Sequence, residues 1–334
     1  MTLDVWAPLV LPLLLAPLLA LVSVGSLADR LPPRLAAWLL TGTAVVLAGS
    51  GAAALGLLAL AALLHLPAVA ALGHLELPVA RHLAPGAVAP VGLLAGAVLL
   101  VLGLRATRVL RRHLRDLAGS RRVVSGRPAS AAGLVVLPDR TPDAYALPGL
   151  RRRHGRIVVT SGMLTALSPA EREVLLAHER AHLNGRHHWF LLLADLAAAL
   201  HPLLCPLRDG IGYSVERWAD EAAAASVADR RLVARAIGRA ALAGNRRSGT
   251  GSTAPRPAPI RRALLGLAAG PVPRRVAALL SAPVGRTRRP VLATVLTAAL
   301  LAAVPAVSLG TALDAARDLH AQVELAQQIG QSQR

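Results

Sequence analysis

"LLAHERAHLNGRHH", residues 175–188, sets two histidines four positions apart with a glutamate directly after the first. Whether His178-Glu179-Arg180-Ala181-His182 is an ion site or the charged face of an ordinary helix decides how the rest of the chain is read. The residues on either side fix the local conformation. Ser168-Pro169-Ala170-Glu171 offers a capping serine, a proline at the first helical position and a glutamate at the third, which together form a capping box. Asn184-Gly185 supplies a stop. On a helix running from Pro169 through His182, positions 178 and 182 share one face, so two imidazoles can reach one ion.

Glu179 lies beside that face, where a carboxylate can take a proton from a metal-bound water, and zinc lowers the pKa of such water toward about 7. Two histidines leave zinc short of a protein ligand. In "YSVERWADEAAA" (213–224) Glu216 and Asp220 are four apart. One helical face can therefore hold Glu216 as the third ligand and Asp220 as an acceptor that orients a histidine through its other ring nitrogen. Glu221 is expected to point away. The pentapeptide alone also arises by chance in charged helices, but here it comes with a capped helix, a following E-x-x-x-D segment and few competing acids. The expectation is one zinc ion per chain on His178, His182 and Glu216, with Glu179 as the catalytic carboxylate. His187 and His188 fall past the stop and are expected to be helix-terminal or interfacial, and His201, before Pro202, a core or turn residue.

The 334 residues are 54% hydrophobic, with a mean hydropathy of +0.52, too apolar for an ordinary soluble protein and expected to lie partly in lipid. A formal charge of +19 invites a nucleic-acid role. All 37 basic residues are arginine, however, a mark of GC-rich coding, and at 2% aromatic content stacking platforms for bases are scarce, so no direct nucleic-acid binding is expected. The single cysteine, Cys205, excludes an intramolecular disulfide and reads as a small hydrophobe.

Four runs are long enough to span a bilayer: about 3–27, 35–64, 88–104 and 290–310. The first lacks basic residues ahead of it and so reads as an uncleaved helix rather than a signal peptide. Arginines from Arg105 to Arg122 follow the third span and Arg286, Arg288 and Arg289 precede the fourth, which places residues 105–289 in the cytoplasm by the positive-inside rule. Both termini, with a short tail at 311–334, are then outside. The run Trp189 to Leu204 is marginal in length and carries Asp195, and is expected to be a buried or membrane-surface helix. Were it to cross, Glu216 and His178 would lie on opposite sides.

Within 105–289, "GLVVLP" (133–138) and "RIVVT" (156–160) read as strands, "AYALPG" (144–149) as a turn or short strand, and "AGNRRSGTGSTAPRPAPIRR" (243–262) as a flexible loop. The fold class expected is an α-helical membrane protein with four transmembrane helices and a cytoplasmic α+β zincin-like domain.

"GRIVVTSGMLTALSPAEREVLLAHERAHL", followed by "ERWAD", resembles the membrane-embedded gluzincin peptidases. The span layout favours the BlaR/MecR antirepressor branch over the HtpX and CAAX-protease branch, although residues 311–334 are too short for the extracellular sensor of the former. The resemblance implies a membrane-bound zinc endopeptidase with a protein substrate, a repressor in the first branch and membrane proteins under quality control in the second. It also implies Glu179 as general base and then general acid, and the strand Ile157, Val158, Val159, Thr160 as the partner of an extended substrate. A third reading is a non-catalytic membrane adaptor with a closed structural metal site. Arg217 and Tyr213 are unranked candidates for stabilising an oxyanion.

Overall fold

The computed structural model describes residues 28–63, 88–130, 133–149, 154–245 and 272–281, with isolated positions between 310 and 328. The expected spans at 3–27 and 290–310 and most of the expected 243–262 loop lie outside the described residues.

Two long helices come first, α1 (Pro33–Leu63) and α2 (Val88–Val124). Both are long and apolar enough to cross a membrane. They correspond to the second and third expected spans. At 37 residues α2 is about 55 Å long, well beyond a hydrocarbon core of about 30 Å, so the run of arginines continues the same helix past its apolar half. The two helices are in close contact at Gly92, where an added Cβ would meet Leu58 O at 2.3 Å. Only a residue without a side chain fits there.

The domain that follows is a small sheet flanked by helices. Strands β1 (Leu134–Leu137), β2 (Ala144–Leu147) and β3 (Arg156–Thr160) form a three-stranded sheet in the order β1-β3-β2. β1 runs parallel to β3 and β2 antiparallel to it. "AYALPG" thus yields a true strand. Its period-two alternation divides the buried side chains: Tyr145, Leu147 and Val158 meet Val124 at the end of α2, while Ala144, Ile157 and Val159 pack toward Met163 and Leu167.

After β3 come α3 (Ser161–Ala166), α4 (Pro169–Asn184), α5 (His187–Leu200), a 3-10 turn at Pro202–Leu204, α6 (Cys205–Val227), α7 (Arg230–Asn245) and α8 (Val272–Leu280). The N-terminus of α4 is set as its sequence predicts. Ser168 Oγ accepts from Glu171 N–H, and the Glu171 carboxylate accepts from Ser168 N–H at 2.9 Å and binds Arg239 at 2.9 Å. At 14 residues, about 21 Å, α5 is too short to span. It packs instead with α1 and α6 around Leu40, Leu47, Phe190, Ala194, Leu207 and Ile211. A further core of Val174, Ala223, Val233, Ala236 and Leu279 joins α4, α6, α7 and α8. α4 is therefore held between the sheet on one side and α6 and α7 on the other.

Candidate metal centre

α4 and α6 bring His178, His182 and Glu216 together, with one ligand atom from each lying within 4.8 Å of the others. The two histidine Nε2 atoms are 3.1 Å apart. Glu216 Oε2 is 3.7 Å from His178 Nε2, and its Oε1 is 3.6 Å from His182 Nε2. The two short carboxylate contacts use different oxygens, so a triangle with a single Glu216 oxygen has sides within 4.8 Å, somewhat wider than the roughly 3.4 Å between tetrahedral ligands about 2.0–2.1 Å from zinc.

The far sides of both rings are occupied. His178 Nδ1 lies 3.0 Å from Asp220 Oδ1, and His182 Nδ1 lies 2.9 Å from His187 Nδ1. With an ion bound, a proton on each Nδ1, turned toward Asp220 and His187, would leave both Nε2 lone pairs for the metal. Without one, the same 3.1 Å contact is a hydrogen bond in which one Nε2 carries the proton. Burial, together with the neighbouring charges of His178 and Arg275, holds His182 far below the usual imidazole range, and burial brings His187 down to about 3, so these two rings are neutral near pH 7. Burial also acts to lower the His178 pKa, but Asp220 and Glu216 outweigh that effect and the pKa is raised. The donor set, two imidazoles and a carboxylate, fits zinc.

Asp220 stands where the E-x-x-x-D spacing predicts. His187 does not behave as an ordinary helix-terminal residue: it is the first residue of α5 and is 1% exposed. Gly185 caps α4 in the right-handed region (φ −77°), and Arg186 takes the left-handed turn at φ 50°. The glycine is required for contact rather than for its backbone angle, since a Cβ there would lie 2.2 Å from His187 Nε2.

Arg275 of α8, which the sequence reading passed over, completes the cluster. Its guanidinium binds both oxygens of Asp220, at 2.8 and 2.6 Å, and Glu216 Oε2 at 2.7 Å. Burial raises the Asp220 pKa, but Arg275 outweighs that effect and holds the carboxyl at about 2. For Glu216 burial prevails and the pKa is raised. One arginine thus supports both the Glu216 carboxylate and the Asp220 carboxylate behind His178.

Glu179 is 4% exposed. Its carboxylate takes a hydrogen bond from Ala146 N–H, while Oε2 has no partner among the described residues. Burial pushes its pKa up to about 7, close to the working pH of a general base. Glu221 points away, as expected, and is gripped by Arg230. Arg217 and Tyr213 are committed elsewhere. Arg217 donates to Ala28 O at 2.7 Å and Tyr213 OH to Asp29 at 3.1 Å. His201 is buried after α5, and Cys205 is half-buried at the start of α6.

The expectation that Ile157, Val158, Val159 and Thr160 would pair with a substrate is corrected by the sheet order. β3 is the central strand, paired on both sides, so its backbone is already used. The strand edge at the site is β2. Thr160 N–H donates to Asp143 O, which in an antiparallel ladder turns residues 145 and 147 toward β3 and residues 144 and 146 away from it. The outward Ala146 N–H is the group that meets Glu179.

Residues 105–207, just under a third of the chain, match the family described as Peptidase family M48. The match takes in His178, Glu179 and His182 and ends before Glu216. Shorter stretches are similar to proteins named "Protease HtpX homolog". That of Sulfurovum sp. (strain NBC37-1) is 32% identical over 76 residues, 23% of this chain and 25% of the relative. That of Campylobacter curvus (strain 525.92) is 35% identical over 65 residues, 20% and 21% of the two chains. That of Pelotomaculum thermopropionicum is 38% identical over 66 residues, 20% and 22%. The matched region thus spans about a quarter of the length of these relatives. No solved structure matches.

Proposed function

We propose that this chain is a membrane-associated zinc endopeptidase that hydrolyses peptide bonds of a protein substrate. The observation that carries the reading is the cluster of His178, His182 and the Glu216 carboxylate, one ligand atom of each within 4.8 Å of the others, beside a buried Glu179 whose Oε2 has no partner among the described residues. Zinc held there would supply a Lewis acid and lower the pKa of water. Glu179 takes a proton from the attacking water at Oε2, with its other side steadied by Ala146 N–H, and returns it to the leaving amine. Asp220 and His187 keep the two imidazoles turned, and Arg275 keeps Glu216 in place. The outward main-chain groups of residue 144 and the Ala146 carbonyl, on the free side of β2, are those along which an extended substrate aligns by strand addition.

An HtpX-like role in membrane-protein quality control is the more specific reading, favoured by the names of the similar proteins and by the two long apolar helices. Cleavage of a transcriptional repressor rests on the sequence resemblance alone. An adaptor with a structural metal fits poorly, because a buried carboxylate with a free oxygen beside three ligands has no part in a closed site.

The test is Glu179→Gln in the full chain, incubated with an unfolded protein substrate. Zinc content should stay at wild-type level while cleavage falls by about 10² or more. Cleavage at the wild-type rate would overturn the assignment of Glu179.

A further inference from the structure

Beside the metal centre, and sharing none of its ligands, a cavity of about 550 Å³ opens where α1, α4 and α6 meet. Its walls include Arg34 and Trp38 of α1, Arg180 and Gly185 of α4 and its cap, Arg186 at the turn, and Trp218 of α6. No carboxylate is among the lining residues, and among the described residues none of the three arginines forms an ion pair. Arg34 lies 5.5 Å over the Trp218 ring. Three guanidiniums around one open cavity repel each other and attract an anion. Their planar forks suit phosphate oxygens.

The position of the cavity identifies the source of that phosphate. Arg34 is in the first turn of α1, one of the two helices able to cross a bilayer, and Trp38, one turn further on, is 60% exposed. Arginine and tryptophan at the end of a span mark the headgroup level. The cavity falls in the range of about 300–1,000 Å³ that houses small organic ligands, larger than a bare phosphate fills.

We propose that this cavity binds the phosphate of an anionic phospholipid headgroup, held by Arg34, Arg180 and Arg186 and flanked by the indoles of Trp38 and Trp218. The proposal rests on the reading of α1 as a membrane span. It also places a lipid two side chains from the proposed zinc ligands: the Trp218 ring lies tilted against His187 with ring centroids 4.5 Å apart, and His187 contacts His182.

The experiment uses the full chain. Flotation with phosphatidylcholine vesicles first tests membrane association by itself. Native mass spectrometry from detergent, with added phosphatidylglycerol, phosphatidylcholine or inorganic phosphate, then counts retained molecules. The wild type should float and should retain one phosphatidylglycerol in preference to phosphatidylcholine. Millimolar inorganic phosphate should fail to displace it. An Arg34→Gln, Arg180→Gln, Arg186→Gln variant should bind at least about tenfold more weakly, while an Arg108→Gln, Arg111→Gln, Arg112→Gln variant should match the wild type. Failure to float removes the membrane reading and this proposal with it. Flotation without a preference for phosphatidylglycerol, displacement by free phosphate, or undiminished binding in the first variant overturns the lipid site alone. Should that variant fail to fold, the wild-type preference and competition results decide.

Discussion

Replacing Arg275 by methionine removes the guanidinium that bridges Asp220 and Glu216, while keeping much of the side-chain volume. The side chains of Arg275, Glu216 and Asp220 are 6%, 3% and 2% exposed, so water cannot take its place. Holding Asp220 at about 2 against its ordinary 3.8 is worth about 2 kcal/mol. The unpaired Glu216 adds to this, and breaking a buried ion pair from one side costs about 3–5 kcal/mol in general. For a domain of this size that is a fall of roughly 6–20 °C in Tm. Because Asp220 has a depressed folded-state pKa, its contribution is fully present above pH 3.8 and is lost as pH falls toward 2. The gap between wild type and variant should therefore hold at pH 6–8 and narrow below pH 4. The assay is thermal unfolding of the zinc-free full chain in detergent, followed by circular dichroism, with Arg274→Met as the control. Arg274 pairs with a half-exposed Asp29 and stacks on Tyr213 at 4.1 Å, so its loss should cost about 1 kcal/mol or less. A variant at position 275 that melts within 2 °C of the wild type, or above the control, would refute the reasoning.

Two further predictions concern the turn between α4 and α5. His187→Phe keeps the ring but removes the acceptor behind His182, and should weaken zinc binding by about 10–100-fold in a chelator competition. Unchanged affinity would mean that His182 needs no such support. Gly185→Ala puts a methyl group 2.2 Å from His187 Nε2 and should cost about 1–3 kcal/mol by thermal unfolding with a parallel loss of zinc affinity. A neutral effect would mean that the contact is not tight.

Short-range periodicity carried most of the site. The serine-proline-glutamate cap, the four-residue spacing of the histidines and that of Glu216 and Asp220 all follow from one helical turn, and the structure places them accordingly. Relations that cross the chain were not legible. Arg275 meets Asp220 from 55 positions away, and in a chain with 37 basic residues, all arginine, nothing marks it out. The strand order β1-β3-β2 puts the last strand in the middle, which no local pattern encodes, so the central strand was mistaken for an edge. His187 is helix-terminal, as expected, but its contact with His182 was not legible because the turn at Arg186 that sets it lies outside any helical repeat.

The most direct measurement is metal analysis of the purified wild type together with anomalous diffraction at the zinc edge. The account predicts one zinc per chain, bonded at about 2.0–2.2 Å to His178 Nε2, His182 Nε2 and a Glu216 oxygen, with no fourth protein ligand. A chain that retains no transition metal, or a metal closed off by four side chains, would contradict it.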